Sequence, residues 1–266
     1  MKKHGVIVDL DGTLIHKGKA TDGASDFIEY LRSQKIPFRV ITNSVGRTQK
    51  ELSEKMKNVG IEISEEMFLN PITVLNRFIE KNKVHSYYFV GPKIIEESLA
   101  IASRFEGIPD YVIFSGFESS NYGLLNRVFR YLKQGAKLIT MSNSEYYITE
   151  NGPILDTGAF TRMFEQHAKS KAILFGKPSK KLFLLALEEM NLDSSQAIVV
   201  GDDVLTDVKG AKALGLYSVL VKTGKYQQDD EIKEYPDMLV NNLRELVGVG
   251  PILNDNGGNC YENCGY

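Results

Sequence analysis

The stretch Val6-Ile7-Val8-Asp9-Leu10-Asp11-Gly12-Thr13-Leu14 joins an apolar β-type run to two carboxylates and a glycine. A buried strand of a parallel sheet is a continuous run of Val, Ile and Leu, and the residues after its carboxyl end line the crevice where such sheets bind ligands. Asp9 and Asp11 are two residues apart, and like charges so close repel each other unless a cation shares them. The stretch therefore predicts a strand of a parallel α/β sheet that ends in a metal site, a catalytic site or both.

The composition is that of a globular protein without a strong charge. The 266 residues are 42% hydrophobic, which suits one large domain or two modest ones, and the formal net charge is -2. That charge gives no basic footprint for nucleic acid, and no apolar stretch approaches the roughly 20 residues that a membrane span needs. We expect neither nucleic acid nor membrane as a partner. Because strand residues begin at Val6, we expect no signal peptide and a cytoplasmic location.

Strand-like runs alternate with amphipathic helical runs along the chain. The predicted outer strands are residues 5–10, 38–42, 172–175, 197–200 and 218–221. The predicted helices between them are residues 22–35, 48–59, 179–190 and 207–214. This alternation predicts right-handed βαβ units around a parallel sheet, a Rossmann-like α/β fold.

A second set of α/β elements occupies the middle of the chain. Its predicted helices are residues 72–80, 93–103 and 122–133, and its predicted strands are residues 87–90, 111–114 and 137–141. We therefore predict a discontinuous core domain, residues 1–70 and 171–250, with a smaller α/β domain, residues 71–170, inserted into it. Residues 251–266 read as a flexible tail that carries Cys260 and Cys264 as free thiols, although a disulfide or metal site stays open.

Three further polar clusters follow outer strands. They are Thr42-Asn43-Ser44, Gly176-Lys177-Pro178, and Gly201-Asp202-Asp203 with Asp207. Each alone has a structural explanation as a turn, a helix N-cap or a solvated lysine. The carboxyl ends of parallel strands converge on one edge of a sheet, so we expect these clusters to meet Asp9 there. Carboxylates suit a hard divalent cation, and Lys and backbone N–H groups suit phosphoryl oxygens, so together the clusters favour a phosphate and Mg²⁺ site.

The four clusters, in this order, resemble the four motifs of the haloacid dehalogenase superfamily, whose signature is Asp9-Leu10-Asp11-Gly12-Thr13. Further matches resemble its nitrophenylphosphatase-like branch, typified by NagD: Gly46-Arg47-Thr48, Asp156-Thr157-Gly158-Ala159 and Lys222-Thr223-Gly224-Lys225-Tyr226. The resemblance spans about residues 5 to 247 and implies a Mg²⁺-dependent phosphatase acting on a small phosphorylated compound. It also implies that the inserted domain is a C2-type cap. The branch often pairs through its caps, which leaves a homodimer open.

The resemblance implies a role for each motif residue. Asp9 would be the nucleophile, and Asp11 would protonate the leaving group and then activate water. Thr42, Asn43 and Ser44 would bind the phosphoryl group, and Lys177 would neutralise its charge.

The resemblance likewise implies the metal site. Mg²⁺ would be bound by Asp9, by the backbone carbonyl of Asp11 and by Asp202. Asp207, together with Asp203, would orient the metal-bound waters or the lysine.

Polar residues after the predicted strand 137–141 are candidates for contact with the leaving group. They are Asn143, Glu145, Tyr146 and Tyr147. Exposed tyrosines on such a loop can equally well cover the core of the inserted domain.

Three alternatives to a phosphatase stay open at this point. A haloacid dehalogenase shares the Asp nucleophile but needs neither a second acid at Asp11 nor metal carboxylates. A phosphomutase or phosphotransferase would use the same core and return the phosphoryl group to an organic acceptor. A binding protein with a vestigial site would lack the nucleophile or the metal carboxylate, and this sequence has both.

Overall fold

The computed structural model describes residues 4–116, 121–149, 152–228 and 235–248. The strands in these ranges are β1 (Gly5–Asp9), β2 (Ile15–His16), β3 (Lys19–Ala20), β4 (Phe38–Ile41), β5 (Phe68–Leu69), β6 (Tyr87–Val90), β7 (Tyr111–Phe114), β8 (Lys137–Thr140), β9 (Tyr146–Thr149), β10 (Gly152–Leu155), β11 (Ile173–Leu174), β12 (Ala197–Gly201), β13 (Tyr217–Val221) and β14 (Met238–Val240). The α-helices are α1 (Ala24–Ser33), α2 (Gln49–Lys57), α3 (Pro71–Asn82), α4 (Lys93–Glu97), α5 (Tyr122–Lys133), α6 (Thr157–Ala168), α7 (Lys180–Met190) and α8 (Lys209–Lys212). Shorter turns are 3-10 helices at Glu65–Met67, Ser194–Gln196 and Leu243–Leu246 and a π-helix at Val204–Val208. Among the described residues, no helix has both the length and the apolar character to cross a membrane.

The chain divides into two compact units. The first comprises residues 1–40, 58–61 and 186–266, and the second comprises residues 41–57 and 62–185. The boundaries of the core domain and of the cap, drawn from the sequence, stay a prediction. Cys260 and Cys264 lie outside the described residues.

The first unit is built on a sheet whose strands lie in the order β14, β13, β12, β1 and β4. β1 pairs in parallel with β12, with Val8 opposite Val200, and β13 pairs in parallel with both β12 and β14. Every residue of β1 and β12 is buried, as the continuous apolar runs predict for strands covered on both faces. The predicted parallel-sheet α/β fold is confirmed.

The helix predicted at residues 207–214 begins earlier and is wound differently. A π-helix at Val204–Val208 leads directly into α8. The side chain of Asp203 caps it, because its Oδ1 accepts hydrogen bonds from the N–H groups of Leu205 (2.9 Å) and Thr206 (3.2 Å). The cap fixes where the helix starts.

The second unit contains a parallel sheet with strand order β11, β8, β7 and β6 and a separate antiparallel hairpin of β9 and β10. Helices α5 and α6 are capped by Asn121 and Asp156, whose side chains accept hydrogen bonds from the N–H groups of Leu124 and Thr157, respectively. Both helices contribute to a core of buried apolar side chains, which includes Val112, Phe114, Val128, Leu132, Leu138 and Phe164. Neither α6 nor the hairpin is among the elements predicted from the sequence.

The prediction that residues 172–175 form one of the outer strands is wrong. β11 instead pairs in parallel with β8, with Ile173 opposite Ile139. Phe175 extends the pairing, since its N–H donates to the carbonyl of Thr140 (3.0 Å). A short apolar run indicates a buried strand but not which sheet it joins.

The helix predicted at residues 93–103 ends at Glu97, so its second half is wrong. The side-chain amide of Asn76 accepts a hydrogen bond from the N–H of Ala100 and donates one to the carbonyl of Ser98, both at 3.0 Å. These bonds draw the backbone out of the helix, because a helix interior would use the same groups itself.

Candidate active site

Three carboxylates of the first unit form a buried cluster. One oxygen each of Asp9, Asp202 and Asp207 lies within 4.8 Å of the other two, and the side chains are 4%, 1% and 1% exposed. Three buried carboxylates this close are costly unless a cation shares their charge. Carboxylate oxygens are the ligands that Mg²⁺ and Ca²⁺ take, so the donor set fits a hard divalent cation.

The sheet explains why these carboxylates meet. Asp9 is the last residue of β1, and Asp202 directly follows the neighbouring β12. Since Val8 is opposite Val200, the two adjacent parallel strands end at the same level, and Asp202 follows one residue beyond that level. A Cβ at Gly201 would lie 2.4 Å from the Asp207 carboxyl group, so glycine is needed for Asp207 to approach the strand.

Asp202 is held by two hydrogen-bond donors that are not among the residues predicted for the site. The hydroxyl of Thr13 donates to its Oδ1 (3.0 Å), and the N–H of Lys225 donates to its Oδ2 (2.6 Å). Gly12 and Gly224 have φ of +105° and +50°, and a Cβ at either would lie 2.1 Å from Oδ2. Two left-handed glycines therefore leave just the space that the carboxylate occupies.

Asp203 uses both of its oxygens for structure. Besides capping the π-helix, it accepts a hydrogen bond through Oδ2 from Nζ of Lys225 at 3.0 Å. Its own N–H donates to Oδ2 of Asp207 (3.2 Å). Asp203 thus links the loop of Lys225 to Asp207.

Asp11 follows β1 in a turn and is exposed, whereas Asp9 is buried. The strand ends at Asp9, and Leu14 N–H donates to the carbonyl of Leu10 (3.0 Å). The alternation of side chains along a strand therefore does not apply to residue 11, and the turn decides its position.

Thr42, Asn43 and Lys177 all lie in the second unit. Thr42 and Asn43 follow β4, and Lys177 follows β11. Thr42 is 1% exposed and Lys177 is 3% exposed. The N–H of Ser44 donates to the hydroxyl oxygen of Thr42 (3.0 Å), which forms a tight local turn. The side chain of Asn43 makes two hydrogen bonds to the backbone of Lys177.

The candidates after β8 lie around the start of α6. Glu145 forms an ion pair with Arg162, and Tyr146 is 58% exposed. A Cβ at Gly158 would lie 2.5 Å from the backbone of Asn143, so this loop packs directly on the helix. The side chain of Tyr147 lies outside the described residues.

Two family models match separate parts of the chain. The family described as haloacid dehalogenase-like hydrolase matches residues 6–102, and the one described as HAD-hydrolase-like matches residues 174–246. A Mus musculus protein named haloacid dehalogenase-like hydrolase domain-containing protein 2 is 34% identical over 87% of this chain and 88% of its own. The chain belongs to the haloacid dehalogenase-like hydrolase family.

Two further proteins refine the comparison. A Xenopus laevis protein named phospholysine phosphohistidine inorganic pyrophosphate phosphatase is 32% identical and covers 92% of this chain and 93% of its own. NagD from Escherichia coli K-12 has the same fold, with a TM-score of 0.83 over 92% of this chain and 98% of its own at 24% identity. The predicted haloacid dehalogenase family and the prediction of a hydrolase enzyme are confirmed, and NagD shares the fold of this chain.

Proposed function

We propose that this protein is a Mg²⁺-dependent phosphatase that hydrolyses a small phosphorylated compound through an aspartyl-phosphate on Asp9. The observation that carries the proposal is the buried cluster of Asp9, Asp202 and Asp207 at the ends of two adjacent parallel strands. The Xenopus laevis relative, whose name is that of a phosphatase, supports it.

The carboxyl groups of Asp9, at the end of β1, and of Asp11, in the turn that follows, would divide the chemistry. A carboxylate oxygen of Asp9 attacks phosphorus while the bond to the leaving oxygen breaks, and Asp11 gives that oxygen its proton. Asp11 then takes a proton from water, whose oxygen attacks phosphorus and releases phosphate and free Asp9. The exposure of Asp11 beside a buried Asp9 supports this division, because the acid must exchange protons with water.

The carboxylate cluster would hold the metal. Asp9, Asp202 and Asp207 would supply side-chain oxygens, together with the backbone carbonyl of Asp11 that the family resemblance implies. When bound, Mg²⁺ supplies positive charge that stabilises the phosphoryl oxygens. Asp203 would act through its bonds to Lys225 and the π-helix rather than as a ligand.

The residues of the second unit would bind the phosphoryl group and shape specificity. Thr42 and Ser44 offer a hydroxyl-rich turn, and Lys177 offers a buried positive charge. Asn143, Glu145 and Tyr146 remain proposed contacts for the leaving group.

A phosphomonoester is the expected substrate class. Pyrophosphate and phospho-amino acids are further candidates because the Xenopus laevis relative is named for them. A cytoplasmic location and a homodimer are part of the proposal and rest on the sequence alone.

The direct test is release of inorganic phosphate. Purified protein with Mg²⁺ near neutral pH is offered p-nitrophenyl phosphate, pyrophosphate and a panel of metabolite phosphates. We expect phosphate release that stops with EDTA and returns with added Mg²⁺. No release from any compound would overturn the proposal, and conversion of a sugar phosphate to its isomer without free phosphate would indicate a phosphomutase.

A further inference from the structure

The side-chain amide of Asn43 is bonded to the backbone of Lys177 on both sides. Lys177 N–H donates to Oδ1 of Asn43 (2.7 Å), and Nδ2 of Asn43 donates to the carbonyl of Lys177 (3.1 Å). The two residues are 134 positions apart, so these bonds join the loop after β4 to the loop after β11. The pair fixes the orientation of the amide, because a flipped amide would place donor against donor and acceptor against acceptor.

Gly176 allows Asn43 and the backbone of Lys177 to approach each other closely. A Cβ at Gly176 would lie 2.9 Å from Oδ1 of Asn43 and 2.2 Å from the carbonyl oxygen of Met141. Any other residue at position 176 would push the lysine loop away from the amide. The position before the lysine is therefore glycine for a steric reason.

We propose that Asn43 is a positioning residue for Lys177, and that its side chain does not itself bind the phosphoryl group. This inference rests on the proposed function, in which Lys177 neutralises phosphoryl charge. It departs from the family resemblance, which places Asn43 among the phosphoryl-binding residues.

The physical basis is the freedom of a lysine side chain. Four methylene groups separate the ammonium group of a lysine from its backbone. The ammonium group therefore reaches a fixed point only if the backbone is itself fixed. Asn43 holds both the N–H and the carbonyl of that residue. Lys177 is 3% exposed, so its buried side chain also has little freedom to move.

A double-mutant cycle tests the inference. The four proteins are wild type, Asn43→Ala, Lys177→Ala and the double variant, assayed by phosphate release from p-nitrophenyl phosphate. If Asn43 acts through Lys177, Asn43→Ala lowers kcat about tenfold or more in wild type but less than about twofold when Lys177 is already alanine. The KM changes little. Orthovanadate titrated by calorimetry in the presence of Mg²⁺ repeats the cycle without turnover.

Asn76→Ala is the matched control. Its amide also makes two backbone hydrogen bonds in the second unit, to Ser98 and Ala100. We expect it to lower Tm as Asn43→Ala does while leaving kcat unchanged. Asn43→Asp keeps the acceptor for the N–H of Lys177 and should restore part of kcat, and it replaces Asn43→Ala in the cycle should the alanine variant fail to fold.

The outcomes separate this inference from the proposed function. Equal loss of kcat or of vanadate affinity from Asn43→Ala in both backgrounds would overturn it, because Asn43 would then act on the phosphoryl group directly. An unchanged kcat with a raised KM would overturn it as well. A wild-type protein that binds no vanadate and releases no phosphate contradicts the proposed function itself.

Discussion

The two units hold their candidate residues by different means. In the first, Asp9 and Asp202 meet because adjacent parallel strands end at the same level. In the second, Asn43 and Lys177 meet through side-chain hydrogen bonds between two loops. The carboxylates are thus placed by regular secondary structure, whereas the lysine is placed by one amide and one glycine.

The difference predicts which substitutions each set of residues tolerates, the carboxylates of the first unit and the Asn43 and Lys177 pair of the second. A sheet register involves many backbone bonds, so a single substitution displaces a carboxylate only if it intrudes on that group directly. A loop joined by two bonds moves when either partner changes. Variants that affect metal binding alone, or catalysis without metal binding, would establish that the two sets have separate roles.

The largest expected effect is that of Asp9→Asn. The change is nearly isosteric but removes the nucleophilic carboxylate, so kcat should fall by about a thousandfold or more. Circular dichroism and thermal unfolding should show a folded protein. Activity within tenfold of wild type would contradict the assignment of Asp9 and with it the role of the carboxylate cluster.

A smaller effect is expected from Gly224→Ala. The new Cβ would lie 2.1 Å from Oδ2 of Asp202 and must displace it, so the affinity for Mg²⁺ should fall about 10- to 100-fold. Gly215→Ala is the control, because Gly215 also has a positive φ, +69°, but has no neighbour within 4 Å of a Cβ. Calorimetric titration with Mg²⁺ measures both variants. Equal losses in both would mean that backbone strain, and not the position of Asp202, is responsible.

The matching change in the second unit is Gly176→Ala. The Cβ intrudes between Met141 and Asn43, so the lysine loop should shift and kcat should fall about tenfold with the affinity for Mg²⁺ unchanged. Gly46→Ala, at a position where a Cβ meets nothing within 4 Å, should leave kcat as it is. A loss of metal affinity in the Gly176 variant would erase the distinction between the two sets.

The regular part of this arrangement could be predicted from the sequence. The apolar runs before Asp9 and Asp202 indicate buried parallel strands, and the convergence of their carboxyl ends follows from the fold class. In the structure these two carboxylates lie close together with Asp207, which the sequence analysis also groups with Asp202. The resemblance also predicted the family correctly, because the family's motifs are short stretches of sequence that directly follow strands.

The contacts that orient these groups could not be predicted in the same way. Thr13 and Asp202 are 189 residues apart, and no periodicity connects a hydroxyl to a carboxylate at that distance. The sheet to which β11 belongs depends on pairing with β8, and a run of two to four apolar residues carries no information about its partner. Local patterns predict elements, whereas long-range hydrogen bonds decide where side chains point.

The smallest effect is expected at the start of α2, which follows the Thr42 turn. Thr48 N–H (2.7 Å) and its hydroxyl (3.0 Å) donate to Oε2 of Glu51, and these two hydrogen bonds lower the pKa of Glu51 below its ordinary value of 4.5. The stabilisation is therefore present above that value and is lost as pH falls through the lowered pKa. Glu51→Gln should cost less than about 1 kcal/mol of unfolding free energy at pH 7, because the site is partly solvated.

This last variant gives the baseline for the others. In urea unfolding, the difference between Glu51→Gln and wild type should shrink as pH falls through the lowered pKa, since both side chains are then neutral. Glu54→Gln, at an exposed position of the same helix, is the control for removing one charge from α2. Neither variant should change kcat or the affinity for Mg²⁺ beyond error. If Glu51→Gln did lower kcat, the position of the Thr42 turn would depend on the stability of α2. A loss of kcat in Gly176→Ala could then also result from a less stable fold rather than from a displaced Lys177.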